Sequence, residues 1–422
     1  MLLTHAPRSR RLAPAARALA VAAVLPALAL PVAAPTMLAP PVAAAAEDDP
    51  TCESPQADGP RTVQGPNLAS EALDVPRATA LAAKEGVREA GDGVTVVVVD
   101  APFGGLDPAT FEGLDTGHGV TVAGIIRGRD QQSPPVPVGI APGARLEERP
   151  FYVATSGSGD DGKPEPTSAA LGRVLSGLAG DVRSGRLGER TVVVVPTEVQ
   201  ATPALRAAVG RLHAAGALVV AAAGDRGAAE FLDDYDDGGP AAGEDAAADV
   251  GPAASDDVLT VGVSSPGATN VLRNSQTDVA APGLGSVSIS VEGGGSCLVT
   301  SVSSHWAAAQ VAGVAALVWS VHRGDTADEL RARLEGTATG NGSQASPLTG
   351  FGMVQPVEAI QRPVEGMDGT GAGGEVVPRG EVPEERADLL ATTRRDAVWW
   401  GLAGGGALVV LLVLRPVLAR RR

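Results

Sequence analysis

Four short runs of β-branched and small apolar residues constrain this chain more than any other feature: VTVVVVD (94–100), TVVVVP (191–196), ALVVAAAG (217–224) and VLTVGV (258–263). They are short and do not alternate polar with apolar residues, which is the pattern of strands buried on both faces. Segments of helical composition lie at 70–90, before the first run, and at 168–184 and 204–214, between later ones. That rhythm predicts a mainly parallel sheet with helices on both faces, an α/β fold. In such sheets functional groups collect beyond the carboxyl ends of the strands. Asp100, which ends the first run, and the segment after Gly224 are therefore the first candidates for a site.

The two ends read as targeting and anchoring segments. Arg8, Arg10, Arg11 and Arg17 precede an apolar run at 18–34, and AAAAE at 43–47 offers small residues for cleavage, so 1–46 is expected to be a secretory signal peptide. Residues 47–85 form an N-terminal extension, proline-rich and polar up to about Asn67. Near the other end AVWWGLAGGGALVVLLVL (397–414) holds no charge and is close to the ~20 residues a helix needs to cross a bilayer. It is expected to span the plasma membrane once. Trp399 and Trp400 would lie at the outer interface, and Arg415, Arg420, Arg421 and Arg422, in a tail at 415–422, at the cytoplasmic one. A Gly-, Pro- and Glu-rich linker, 363–396, joins this segment to the folded part.

Charge and cysteine usage narrow the setting further. The formal net charge is −16, and it becomes −20 without residues 1–46, which hold four arginines and no acid. Such a surface argues against a nucleic-acid partner, since phosphate binding needs a basic face. The chain has two cysteines, Cys52 and Cys297. In an exported chain such a pair suggests one disulfide, with two free thiols as the alternative. The acidic stretch EFLDDYDDGGPAAGEDAAAD (230–249) lacks the alternation of a dedicated calcium loop and reads as a solvated insertion.

Three pieces carry the chemistry: Asp100 in VVVVDAPFGGLDP, His118 in GHGVTVAGIIRG, and SVSSHWAAAQVAGVAAL at 301–317. The order Asp, His, then a third residue before an Ala-rich helix resembles the subtilisin-like serine protease family. GIAPGARL (139–146), VVAAAGD (219–225), DDVLTVGV (256–263) and TDVAAPG (277–283) are similar to further motifs of that family, in the same order. The resemblance runs over about 86–361 and implies one three-layer subtilisin-like domain, 86–362. With the signal, the extension and the C-terminal apolar segment, the chain resembles the mycosins, membrane-anchored subtilisin-like proteases associated with type VII secretion in actinobacteria.

In that family the aspartate orients the histidine, the histidine takes a proton from serine, and an asparagine donates to the oxyanion. Carried over residue by residue, Asp100 and His118 match the first two roles. With Val311, Ala312 and Gly313 matching the motif's V-A-G, the serine falls on His305, and the asparagine corresponds to Asp225. The resemblance therefore implies a degenerate centre, a pseudoprotease supporting a type VII secretion membrane complex. The alternatives are a serine endopeptidase that uses Ser303 or Ser304, and a module that holds a peptide or protein in the former groove without cleaving it. His305 is expected to fill the vacated place and to pair with Asp225 across it. The rival arrangement, Asp100, His118, Asp225 and His305 around a metal, is set aside because Asp100 and His118 already have a role as a pair. No cofactor is expected, and His213 and His322 read as surface or structural histidines.

Overall fold

The computed structural model describes residues 49–52, 61–112, 114–154, 163–235, 240–291, 295–340, 344–363, 399–400, 402 and 405–407. Its centre is a six-stranded parallel sheet. In chain order the strands are β1 (Thr95–Val98), β2 (Arg145–Glu148), β3 (Thr191–Val195), β4 (Leu218–Ala222), β5 (Leu259–Val263) and β6 (Val279–Ala281). Their spatial order is β6-β5-β4-β3-β1-β2. β1, β3, β4 and β5 are buried along their whole length, as the four β-branched runs predict. β2, with the sequence RLEE, sits at the edge and keeps partly solvated side chains, so no apolar run marks it.

Helices cover both faces. On one lie α1 (Leu68–Ala72), α2 (Val75–Lys84), α3 (His118–Arg127), α6 (Ser304–Val321), α7 (Ala327–Gly336) and α8 (Pro356–Gln361). On the other lie α4 (Ser168–Arg183) and α5 (Pro203–His213), packed through Leu171, Leu175, Leu178, Leu205 and Leu212. The helical segment read at 70–90 is two helices. Asp74 adopts a positive φ between them and Pro76 stands in the first turn of α2, an N-terminal position that proline suits. α2 sends Val75, Ala78 and Ala82 into the same core as the sheet.

Every residue of α6 except His305 and Val321 is buried. Its alanines and Gly313 let a helix lie close against the sheet, where larger side chains would hold it away. The structure also joins Cys52 to Cys297 in a disulfide. Cys297 belongs to an antiparallel pair, β7 (Val287–Ile289) and β8 (Ser296–Leu298). The extension lines up beside this pair: the Cys52 N–H donates to the Leu298 carbonyl at 3.0 Å, and the Leu298 N–H to that of Pro50 at 2.7 Å.

β1 is followed in the sheet by β2 on one side and β3 on the other, so the strand order reverses between β1 and β3. A reversal of this kind opens a crevice at the carboxyl ends of the two strands. Asp100 leaves β1 there, and Thr197 and Glu198 leave β3. α3 is held tightly against the same turn: a Cβ added at Gly119 would stand 2.2 Å from the Ala101 carbonyl oxygen. Gly119→Ala is therefore expected to push α3 off the Asp100 loop and to cost about 1–3 kcal/mol, read as a lowered urea midpoint at an unchanged slope.

Candidate functional site

Asp100 is fully buried and every one of its partners donates. His118 Nδ1 stands 2.6 Å from Oδ2, while the Tyr152 hydroxyl at 2.5 Å and the Thr197 hydroxyl at 2.9 Å donate to Oδ1. Burial alone would raise this carboxyl, but the adjoining His118 and the two hydroxyls hold it below its ordinary value. Burial and the neighbouring Asp100 push the Tyr152 phenol well above its own.

His118 opens α3, and its ring lies under Trp306, with centroids 4.8 Å apart. Its second nitrogen, Nε2, faces His305 Nδ1 at 3.0 Å. His305 is in the first turn of α6, and its far nitrogen, Nε2, bonds the Glu198 carboxylate. Glu198 is buried, and its other oxygen accepts the Asp225 N–H at 3.0 Å. The structure thus lines up Asp100, His118, His305 and Glu198 as one chain of contacts. Asp225 forms the expected ion pair with His305 at 4.0 Å from Nε2, while Glu198 takes the direct hydrogen bond to that nitrogen.

Burial lowers the His305 imidazole, but Glu198, with Asp225 and Asp100 behind it, raises it to about 9. Glu198 is itself pushed up by burial and brought below its ordinary value by His305 and the Asp225 N–H. At pH 7 His305 is therefore a cation donating from both nitrogens, to Glu198 and to His118 Nε2. His118 faces Asp100 through Nδ1 and His305 through Nε2.

Asp225 follows Gly224, whose φ of +112° suits glycine and turns the chain toward the start of α6. There the carboxylate accepts only. Oδ1 takes the Ser304 N–H at 2.9 Å and the Ser304 hydroxyl at 2.7 Å, and Oδ2 takes the Ser303 hydroxyl. Burial, with Glu198 nearby, raises this carboxyl. The Ser303 hydroxyl also accepts the His305 N–H at 3.0 Å, and the Ser304 hydroxyl accepts the Gly224 N–H at 3.2 Å. Among the described residues no serine hydroxyl bonds the His118 ring, whose polar neighbours are Asp100, His305 and Tyr152.

Glu198, Thr197 and Tyr152 were not singled out from sequence. The available signal was position: Thr197 and Glu198 follow a buried strand at its carboxyl end, the place where such sheets gather functional groups. His213 lies 3.4 Å from Asp328 and 3.9 Å from Asp257. His322 bonds the Ala359 and Ile360 carbonyls, each at 3.1 Å. Within the acidic stretch Glu244 pairs with Arg226 and accepts the Arg273 N–H, while Leu232, Ala246 and Val250 pack with Ala253 and Leu272. Among the described residues no group of three His, Cys, Asp or Glu side chains is arranged to hold a metal ion.

Residues 93–353 match the Subtilase family, and with this fold and crevice the chain belongs to that family. It is of the mycosin type, being 30% identical over 349 residues to Mycosin-3 of Mycobacterium tuberculosis, with 72% of each chain covered. Among solved structures it resembles the MycP3 protease from the type VII (ESX-3) secretion system, at 25% identity and a TM-score of 0.54, over 75% of this chain and 92% of that one. A chain of the intact ESX-5 inner membrane complex shares the fold at 22% identity and a TM-score of 0.55, over 86% of this chain and 93% of that one.

The pairing of His305 with Glu198 has a definite pH signature. A base raised in the folded state contributes fully below its ordinary value near 6.5 and loses that contribution as pH climbs through about 9. Glu198, lowered in the folded state, contributes above its ordinary value and loses that on acidification. The urea midpoint of the protein is expected to fall between pH 6.5 and 9, and in Glu198→Gln that fall is expected to flatten. His305 in the same variant should titrate nearer 6.5 by NMR.

Proposed function

We propose that this chain is a pseudoprotease: a mycosin-type subtilase that contributes structure, and no peptide-bond cleavage, to a type VII secretion complex of the plasma membrane. The observation that carries the reading is His305 at the head of α6, its Nδ1 3.0 Å from His118 Nε2, where a serine hydroxyl would have to stand. Asp225 supports it. A carboxylate that accepts three hydrogen bonds offers no donor to a developing oxyanion, and loss of such a donor is worth about 2.7–4 kcal/mol of barrier in serine proteases. Ser303 and Ser304 are both turned to Asp225, so a nucleophile shifted along the turn has no hydrogen-bonded contact with the His118 ring. Attack geometry tolerates only about 0.5 Å of displacement.

The setting follows from the relatives and from the two ends of the chain. The structures named above come from type VII secretion systems, one of them an inner membrane complex. Residues 1–46 as a signal peptide and 397–414 as a single membrane-crossing helix would place the folded domain outside the cytoplasm and the tail at 415–422 inside. Residues 1–46, nearly all of the linker 363–396 and the tail lie outside the described residues, as does most of 397–414, of which Trp399, Trp400 and Leu402 are exposed. Among the described residues no helix is long and apolar enough to cross a membrane.

Two measurements test the proposal. A fluorophosphonate that acylates active serines is expected to leave the full chain unlabelled, and labelling that maps to Ser303 or Ser304 would establish a working nucleophile and overturn the pseudoprotease reading. Separately, His118→Ala is expected to leave co-purification with the secretion membrane complex unchanged, whereas removal of 397–422 abolishes it. Loss of assembly in a His118→Ala chain that keeps the urea midpoint of the unaltered protein would contradict a purely structural role.

A further inference from the structure

At the far end of α3 from His118 lies a cavity of about 610 Å3. Arg127 stands nine positions along the helix from His118, a rise of about 13.5 Å, so this cavity is distinct from the crevice at the strand ends. Its walls come from the turn at 104–108, the end of α3 with the segment that follows it, β7, the start of β8, and Thr62 of the N-terminal extension. Arg127 and Arg129 both line it.

Arg127 is half-buried and its Nε is fully enclosed, yet it has no hydrogen-bond partner. Nor does either guanidinium make an ion pair or hydrogen bond with any described residue. In a chain with 49 acidic and 33 basic residues, an arginine left without a carboxylate is unexpected, and an unpaired buried donor is costly. Capping α3 does not account for it. The last carbonyls of that helix are already taken: Gly124 by the Gly128 N–H at 2.7 Å, Ile125 by that of Ile140 at 3.1 Å, and Ile126 by that of Ala141 at 2.8 Å.

The other polar wall groups are largely committed to the protein. The Ser288 hydroxyl donates to the Thr121 carbonyl at 2.8 Å, the Ser296 hydroxyl donates to Gln131, and the Gln131 amide donates to the Val63 carbonyl at 2.7 Å. Asp107 and Asp130 also line the cavity. Each spends one oxygen on a backbone N–H, of Ala109 at 3.0 Å and of Val138 at 3.2 Å, and keeps the other without a partner among the described residues.

We propose that this cavity binds the α-carboxylate of an amino acid or of a peptide chain end, with the Arg127 guanidinium as its receptor. The planar fork of arginine matches a carboxylate with two parallel hydrogen bonds. The two aspartates in the same wall disfavour a dianion such as phosphate and suit a ligand whose carboxylate is accompanied by an ammonium or amide N–H. The volume falls within the 300–1,000 Å3 usual for small-ligand sites.

The test is thermal unfolding of the full chain with three probes: dialanine, dialanine C-terminal amide, and inorganic phosphate. A ligand that binds only the folded state raises the midpoint by mass action. Dialanine is expected to raise it, with the amide and phosphate at least tenfold weaker. Arg127→Met is expected to weaken dialanine about ten- to a hundredfold, the range for a hydrogen bond to a charged group, and Arg127→Lys less than that. Free alanine added as a further arm separates the two sources: a response equal to dialanine assigns the site to amino acids, a weaker one to chain ends. An equal response to dialanine and its amide, a stronger response to phosphate, undiminished binding in Arg127→Met, or no response to any probe at tens of millimolar would each overturn the proposal. The comparison of dialanine with its amide needs no variant, so it decides the matter even if Arg127→Met does not fold.

Discussion

Two buried carboxylates, Asp100 and Glu198, stand at the carboxyl ends of adjacent strands, where the order of the sheet reverses. A buried charge is costly unless it is paired and hydrogen-bonded, so each of these dictates what surrounds it. Asp100 is answered by His118, Tyr152 and Thr197, and Glu198 by His305 and the Asp225 N–H. Because His118 and His305 also meet each other, the two sets of partners form one chain of contacts from carboxylate to carboxylate. The ends of β1 and β3 and the starts of α3 and α6 are thereby tied together through side chains that face a crevice.

The same chain of contacts also supports the start of α6. α6 is buried along nearly its whole length, and its first N–H groups need acceptors. Ser303 caps the helix through the His305 N–H, while Asp225 takes the Ser304 N–H, which brings a negative charge to the positive end of the helix dipole. A carboxylate in that place serves the helix as well as an amide would, or better. Asp225 therefore supports the architecture around the head of α6.

Much of this was legible in the residues themselves. The four β-branched runs became β1, β3, β4 and β5 because a strand buried on both faces has no choice but to be apolar throughout. β2 escaped because an edge strand keeps polar side chains, and RLEE carries no signal of its pairing with β1. Asp100 and His118 stood in motifs and came together in space at 2.6 Å. Glu198 was not legible, since a single acid after a strand has no periodicity and no motif. Without it His305 could be assigned only to the acid already under suspicion, Asp225, whose hydrogen bonds the fold directs to α6.

His305 and Asp225 are both linked to Glu198, and the linkage bears on how the site holds its present form. Exchanging His305 for serine would return a hydroxyl to the head of α6 but would leave Glu198 buried without its cation, a kind of loss that costs about 3–5 kcal/mol when one partner of a buried pair is removed. Changing Asp225 to the amide would restore a donor while removing a carboxylate that the Ser303 and Ser304 hydroxyls now satisfy. Each residue answers the charge or the hydrogen-bonding need of its neighbour, so each single reversal breaks a contact before it makes one. Any exchange of His305 thus runs through Glu198 first: only when that carboxylate is replaced by a group needing no cation does His305 lose the partner that raises it.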